Sequence, residues 1–374
     1  MTKINTLNDR DRIEWLDNLR TFMIFLVIVL HASIIYEKTN MGATWWIITD
    51  PGKNDLPGLL FLILDIFVMA TIFFISGYLA PISLQKKNKW QFLKTKMKRL
   101  LIPWFIAVLT LVPVYKVIFL FARNLPQENW TTYFHWTNGI WSQNWLWFLP
   151  VLFLFNVIYL VLTSINRKLI LINTKILILL IFLMCLIYSC IMDYFKLQGW
   201  TKTILIDFQN ERLFIYFMVF LFGSLCNQLA IFKSAVINQK WNIIIHCTGW
   251  IPLFFYVFFL VKNLIYPDKY FFTRIGDIIV FRLNFLLSLV YLIYTVVTVF
   301  WIYLPELGKI GRELNKNSYA VYIIHVIILG LLALLFQKTS VPFLLKFLMV
   351  SIFTFLFCNF FLSGFRIGIK NITS

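Results

Sequence analysis

In the stretch DNLRTFMIFLVIVLHAS, Asp17–Ser33, a histidine lies deep in an apolar run. His31 follows Arg20 by eleven positions, and Asp17 precedes Arg20 by three. On a helix of 3.6 residues per turn, eleven positions is about three turns, so Arg20 and His31 share a face with a rise of roughly 16 Å between them. Asp17 lies on the same stripe, one turn before the arginine. A carboxylate that orients a guanidinium, followed at depth by an imidazole, could grip an anion at one end and move a proton or an acyl group at the other. Polar groups inside an apolar span are costly and point to function. The plainer alternative is a helix end marked by Asp17 and Arg20, with His31 as a hydrogen-bonded core residue.

Two further stretches carry chemistry. FLKTKMKRLLIP places Lys94, Lys96, Lys98 and Arg99 just ahead of a helix expected to begin near Leu100. Lys96 and Arg99 are spaced three apart and point the same way. With a helix start they could cradle phosphates, or they could simply mark the cytoplasmic side of a membrane protein. NSYAVYIIHV places His325 three residues after Tyr322 in another apolar run. Of the four histidines, His246 reads as a packing residue and His135 falls in an aromatic loop. No pair has metal-ligand spacing, so no metal is expected. Asp65, Lys116, Glu211, Arg212, Arg282 and Asn284 are weaker buried candidates, each open to a reading as part of a structural ion pair.

The composition sets what must position these groups. Hydrophobic residues make up 60% of the 374 and charged residues 13%, with 40 phenylalanines. A soluble domain is nearer half apolar and a quarter charged. The expected architecture is therefore an all-α integral membrane protein, one membrane-embedded domain over 1–374. Its bundle holds about ten transmembrane helices at 18–37, 58–80, 101–121, 144–163, 172–193, 212–232, 241–262, 277–303, 319–336 and 342–364, each near the ~20 residues that cross a bilayer. The five cysteines, Cys185, Cys190, Cys226, Cys247 and Cys358, fall in these runs and are expected in the core.

A net charge of +18 would suggest nucleic acid in a soluble protein. Here basic loops on one side explain it. An inside N-terminus gathers Lys3, Arg10, Arg12 and Arg20 on that side. It adds seven residues between Lys86 and Arg99, and ten more among Arg167, Lys168, Lys175, Lys233, Lys240, Lys309, Arg312, Lys316, Arg366 and Lys370. That is 21 of 34. The bias puts both termini in the cytoplasm.

Taken together, the motifs resemble the membrane-bound acyltransferase-3 family. Arg20 and His31 match its arginine–histidine signature of eleven positions in the first helix. FFISGYLAP, Phe73–Pro81, is similar to its second-helix end, FLKTKMKRLLIP to its basic third-helix entry, LWFLPVLFLFNVIY to its fourth-helix start, and SYAVYIIHV to its late histidine helix. Lys96 stands where many members have arginine, and Trp145 where many have histidine. The wording LDNLRTFMI leans toward the single-domain branch that includes periplasmic glucan succinyltransferases.

The resemblance implies transfer of an acyl group, acetyl or succinyl, from a cytoplasmic acyl-CoA donor to a hydroxyl of a saccharide or other cell-envelope acceptor. It implies a multi-pass protein of the bacterial inner membrane. In that reading His31 is the base or acyl carrier, Arg20 orients donor phosphate or stabilises the oxyanion, and Asp17 positions Arg20. His325 with Tyr322 assists on the acceptor side, and Lys94, Lys96, Lys98 and Arg99 hold the CoA. The competing reading is a proton-coupled transporter or flippase, since intramembrane His, Asp and Arg also build proton relays. The acyl group, acceptor and oligomeric state are not legible at this level.

Overall fold

A computed structural model describes residues 13–39, 46–129, 132, 143–165, 173–234, 238–267, 269–306 and 308–373. The chain is a helix bundle: α1 (Glu14–Tyr36), α2 (Asp55–Gln85), α3 (Lys89–Ala122), a 3-10 turn (Asn144–Trp147) leading into α4 (Phe148–Ile165), and α5 (Thr174–Tyr194). It continues with α6 (Asn210–Gln228), α7 (Ile231–Ser234), α8 (Gln239–Thr248), α9 (Trp250–Ile265), α10 (Arg274–Tyr303), α11 (Lys309–Gln337) and α12 (Phe343–Thr373). Among the described residues, nine helical stretches are long and apolar enough to cross a membrane. The span expected at 212–232 is α6, which ends at Gln228 and keeps polar residues at both ends, so it falls outside that group. The charges Lys3, Arg10, Arg12, Arg167 and Lys168, and His135, lie outside the described residues.

Several boundaries differ from expectation for local reasons. α3 begins at Lys89 rather than 101, because the Asn88 side chain accepts from Gln91 N–H and the following Lys, Gln, Leu and Met residues favour helix. The helix expected at 241–262 breaks into α8 and α9 at Gly249, where an added Cβ would meet the Tyr291 ring at 2.0 Å. A two-residue antiparallel ladder, β1 (Trp200–Thr201) with β2 (Phe208–Gln209), folds the connection expected to be a plain loop. Cys185, Cys226 and Cys358 are core residues as expected, but Cys247 is exposed on α8.

α1 is the axis of the bundle, contacted by α2, α10, α11 and α12. Its buried residues run the length of the helix, from Trp15 to Tyr36. α2 and α6 approach most closely: a Cβ on Gly77 would lie 1.9 Å from the Phe220 carbonyl oxygen, and one on Gly223 would lie 2.2 Å from that of Phe74. Glycine on both helices removes the side chains that would hold the backbones apart. By contrast α5, α8 and α9 present leucine, isoleucine and phenylalanine outward, as a lipid solvent requires. Of the weaker charged candidates, Asp65 pairs with Arg212 at 2.9 Å and Arg282 with Asp193 at 2.8 Å, both across helices, Lys116 pairs with Glu128 of the connection after α3 at 2.6 Å, and Glu211 accepts from the Gly199 N–H.

Candidate active site

α11 carries His325 and contacts His31, Arg20 and the Arg99 backbone. Asn315, Tyr319, Tyr322 and His325 recur at spacings of four, three and three, so they line one side of the helix. Asn315 Oδ1 accepts from Arg20 Nη2 at 2.5 Å, and the same nitrogen donates to Asp17 Oδ1 at 2.6 Å. The Tyr319 hydroxyl donates to the Arg99 carbonyl, which ties α3 to the same helix. The Tyr322 hydroxyl donates to the Trp145 carbonyl, so it is committed to the backbone. His325, without exposed surface, lies 2.8 Å from His31 through the contact His31 Nδ1···Nε2 His325. The two imidazoles stack with centroids 5.0 Å apart and planes 17° from parallel.

The tautomers follow from the partners. His325 Nδ1 is 2.7 Å from the Tyr322 carbonyl oxygen, which can only accept, so this nitrogen carries a proton. In the neutral ring His325 Nε2 then has only a lone pair and accepts from His31 Nδ1–H. That leaves the lone pair of neutral His31 on Nε2, the nitrogen that does not face His325. His31 lines a cavity of about 370 Å³ and His325 does not, so His31 is the member of the pair that borders the cavity.

Trp46 also lies against His31, centroids 4.9 Å apart and planes 27° from parallel. Its segment is clamped from three helices. Arg123 donates to the Trp46 carbonyl at 2.8 Å, and Gln337 donates to the Thr49 carbonyl at 3.2 Å. Lys346 pairs with Asp50 at 3.1 Å, with side-chain exposures of 4% and 2%. Tyr115 and Trp145 continue the inner wall, stacked at 5.7 Å. An outer wall is formed by Trp147, Trp200 and Tyr216, with Trp147 and Trp200 rings at 5.5 Å. Polar groups reach the cavity from Asp65, Asn144, Lys202, Asp207 and Gln209. The Asp207 carboxylate accepts from the backbone N–H of Gln143 and of Thr203, each at 3.0 Å. Burial pushes its pKa up, against the pull of those two bonds.

The predicted residues thus fall into two places. The cavity-lining residues 46, 144, 145, 147, 200, 202, 207 and 209 belong to connections at one end of the bundle. Asp17, Arg20 and the start of α3 lie at the other. Arg20 therefore stands about 16 Å of helical rise from His31, too far to stabilise an oxyanion there. Lys94, Lys98 and Arg99 are exposed, and the Lys96 ammonium sits 5.3 Å over the Phe92 ring. None of the four lines the cavity. Because α3 starts at Lys89, they project from its second and third turns, and the cradle of free helix-terminal N–H groups expected beside them is absent there. Neighbouring Lys87 donates to Thr95 Oγ1 at 3.0 Å, and burial together with Arg99 lowers its pKa.

Sequence reasoning missed Asn315, Trp46, Tyr115, Trp147, Trp200, Lys202 and Asp207. The paired tryptophans of TWW and the NKNS run ahead of the late histidine were the signals available. Among the described residues no group of three His, Cys, Asp or Glu side chains could hold a metal.

A family model described as an acyltransferase domain matches residues 13–362, nearly the whole chain. No curated protein and no solved structure matches it.

Proposed function

Because this chain belongs to the acyltransferase-3 family, and so is a membrane acyltransferase, we propose that it moves an acyl group, acetyl or succinyl, from acyl-CoA to a hydroxyl of a cell-envelope saccharide, with His31 as general base. The observation that carries this reading is the hydrogen-bonded series Tyr322 carbonyl–His325–His31, which leaves the His31 Nε2 lone pair as the proton acceptor. The acceptor hydroxyl gives its proton to Nε2 as its oxygen attacks the thioester carbon. The imidazolium that forms keeps its Nδ1–H on His325 Nε2, and the bond strengthens once the donor is charged. His325 is a positioning residue: it holds the tautomer and shares the charge.

The two ends divide the substrates. Both termini lie in the cytoplasm in this reading, so the donor meets Arg20 and the α3 lysines on that side. Arg20 is oriented for a phosphate by Asp17 and Asn315. Lys94, Lys96, Lys98 and Arg99 supply positive charge to the CoA nucleotide. The acceptor enters the cavity from the other end, where indole faces suit the C–H face of a sugar ring and Asp65, Gln209 and Asn144 meet its hydroxyls. Transport by proton relay receives less support, since Asp65 and Asp193 are each neutralised by an arginine of a neighbouring helix.

The test is acyl transfer from radiolabelled acetyl-CoA and succinyl-CoA by membranes holding equal amounts of wild-type protein and His31→Ala. Loss of a general base predicts a rate lower by about 10²–10⁴-fold. Full activity of the variant rejects the role.

A further inference from the structure

The acyl-transfer step needs a donor for the oxygen that becomes negative, and neither Arg20 nor Tyr322 supplies it. Arg20 is too distant, and the Tyr322 hydroxyl is held by Trp145. Trp46 packs on the base and carries an unused donor. Among the described residues its buried indole Nε1–H has no hydrogen-bond partner, although the side chain lines the cavity and stacks on His31. The other indoles of the inner region are satisfied: Trp145 Nε1 donates to the Ile323 carbonyl at 2.9 Å and Trp104 Nε1 to Gln143 Oε1 at 3.1 Å. Buried N–H groups are nearly always paired, and an exception beside a candidate base calls for a reason. The clamps from Arg123, Gln337 and Lys346 hold the segment that bears Trp46. A donor fixed in advance in a water-poor site is what stabilises developing negative charge.

We propose that Trp46 is a catalytic residue whose indole N–H donates to the carbonyl oxygen of the acyl group while its ring packs on His31. This rests on the reading of His31 as the base. In the addition step the acceptor oxygen bonds to the thioester carbon. The carbonyl π pair moves onto oxygen, which accepts from Trp46 Nε1–H, and the hydroxyl proton passes to His31 Nε2. In collapse the C–O double bond reforms, the C–S bond breaks, and the CoA sulfur leaves with the proton returned by His31. No oxidant or further reactant is needed.

The deciding experiment replaces Trp46 by 3-benzothienylalanine, which puts sulfur in place of N–H and keeps the ring shape, alongside Trp46→Phe. Turnover of acetyl-CoA and succinyl-CoA is measured, and the carbonyl stretch of bound acetyl-CoA labelled with carbon-13 is read by infrared difference spectroscopy. The expected result is a kcat lower by about 10²-fold in the benzothienyl protein with KM little changed, and loss of the wild-type red shift of the carbonyl. A kcat within twofold of wild type and an unaltered stretch overturn the proposal, whether or not Trp46→Phe accumulates in the membrane. If His31→Ala is inactive while the benzothienyl protein is fully active, only the role of Trp46 fails. If His31→Ala is fully active, the base reading itself fails.

Discussion

Replacing His325 by phenylalanine keeps an aromatic ring of similar width in the fully buried slot on α11 and removes both nitrogens. His31 Nδ1–H then loses the acceptor that stands 2.8 Å away. In the resting pair that bond joins two neutral rings. In the transition state His31 is charged, and a hydrogen bond from a charged donor is worth about 1.5–3 kcal/mol. Only the excess over the neutral bond, about 1–1.5 kcal/mol, bears on kcat, so at about 1.4 kcal/mol per decade kcat falls by roughly five- to twelvefold. Because the interaction strengthens only as His31 takes the proton, KM for acyl-CoA stays near its wild-type value. The assay is single-turnover transfer from radiolabelled acetyl-CoA, rapidly quenched, with protein matched by immunoblot. A rate within twofold of wild type refutes the relay from Tyr322 through His325 to His31. A loss as deep as that of His31→Ala also contradicts it, since a positioning residue cannot cost as much as the base.

Other consequences are tested together. Lys346→Met leaves the Asp50 carboxylate buried without its partner and should destabilise the fold by about 3–5 kcal/mol, read as an earlier thermal unfolding transition; adding Asp50→Leu should recover part of the loss. Gly77→Ala forces a methyl group onto the Phe220 carbonyl, so α2 and α6 must separate, and size-exclusion chromatography in detergent should show little folded protein. Arg20→Ala should raise KM for acyl-CoA more than it lowers kcat, because Arg20 stands far from the reacting atoms. Reversing Lys94, Lys98 and Arg99 to glutamate should raise the same KM and flatten its dependence on ionic strength, as exposed charges do; an unchanged KM removes this face from the donor site.

Much of the frame was legible because its causes are local. Apolar runs near 20 residues set the spans, and an eleven-residue spacing put Arg20 and His31 on one face. The Asp17–Arg20 pair follows from positions one turn apart. The pairing of His31 with His325 was not legible, because the residues are 294 apart and only tertiary packing of α11 on α1 brings them together. Both were singled out, each for its own apolar surroundings. The start of α3 is not marked by hydropathy, because the apolar run begins only after the charge cluster, whereas lysine favours helix and Asn88 supplies the cap. Trp46 is not marked in the sequence because a connection between helices has no periodicity, and the clamps from three helices hold its segment beside the base.

The most direct test of His31 as the group on which transfer depends is mass spectrometry of envelope glycans. Cells carrying the wild-type protein are compared with cells carrying His31→Asn at equal membrane level. Ester-linked acetyl or succinyl increments present with wild type and absent with the variant are the predicted result. The same esters at the same abundance in both would contradict it.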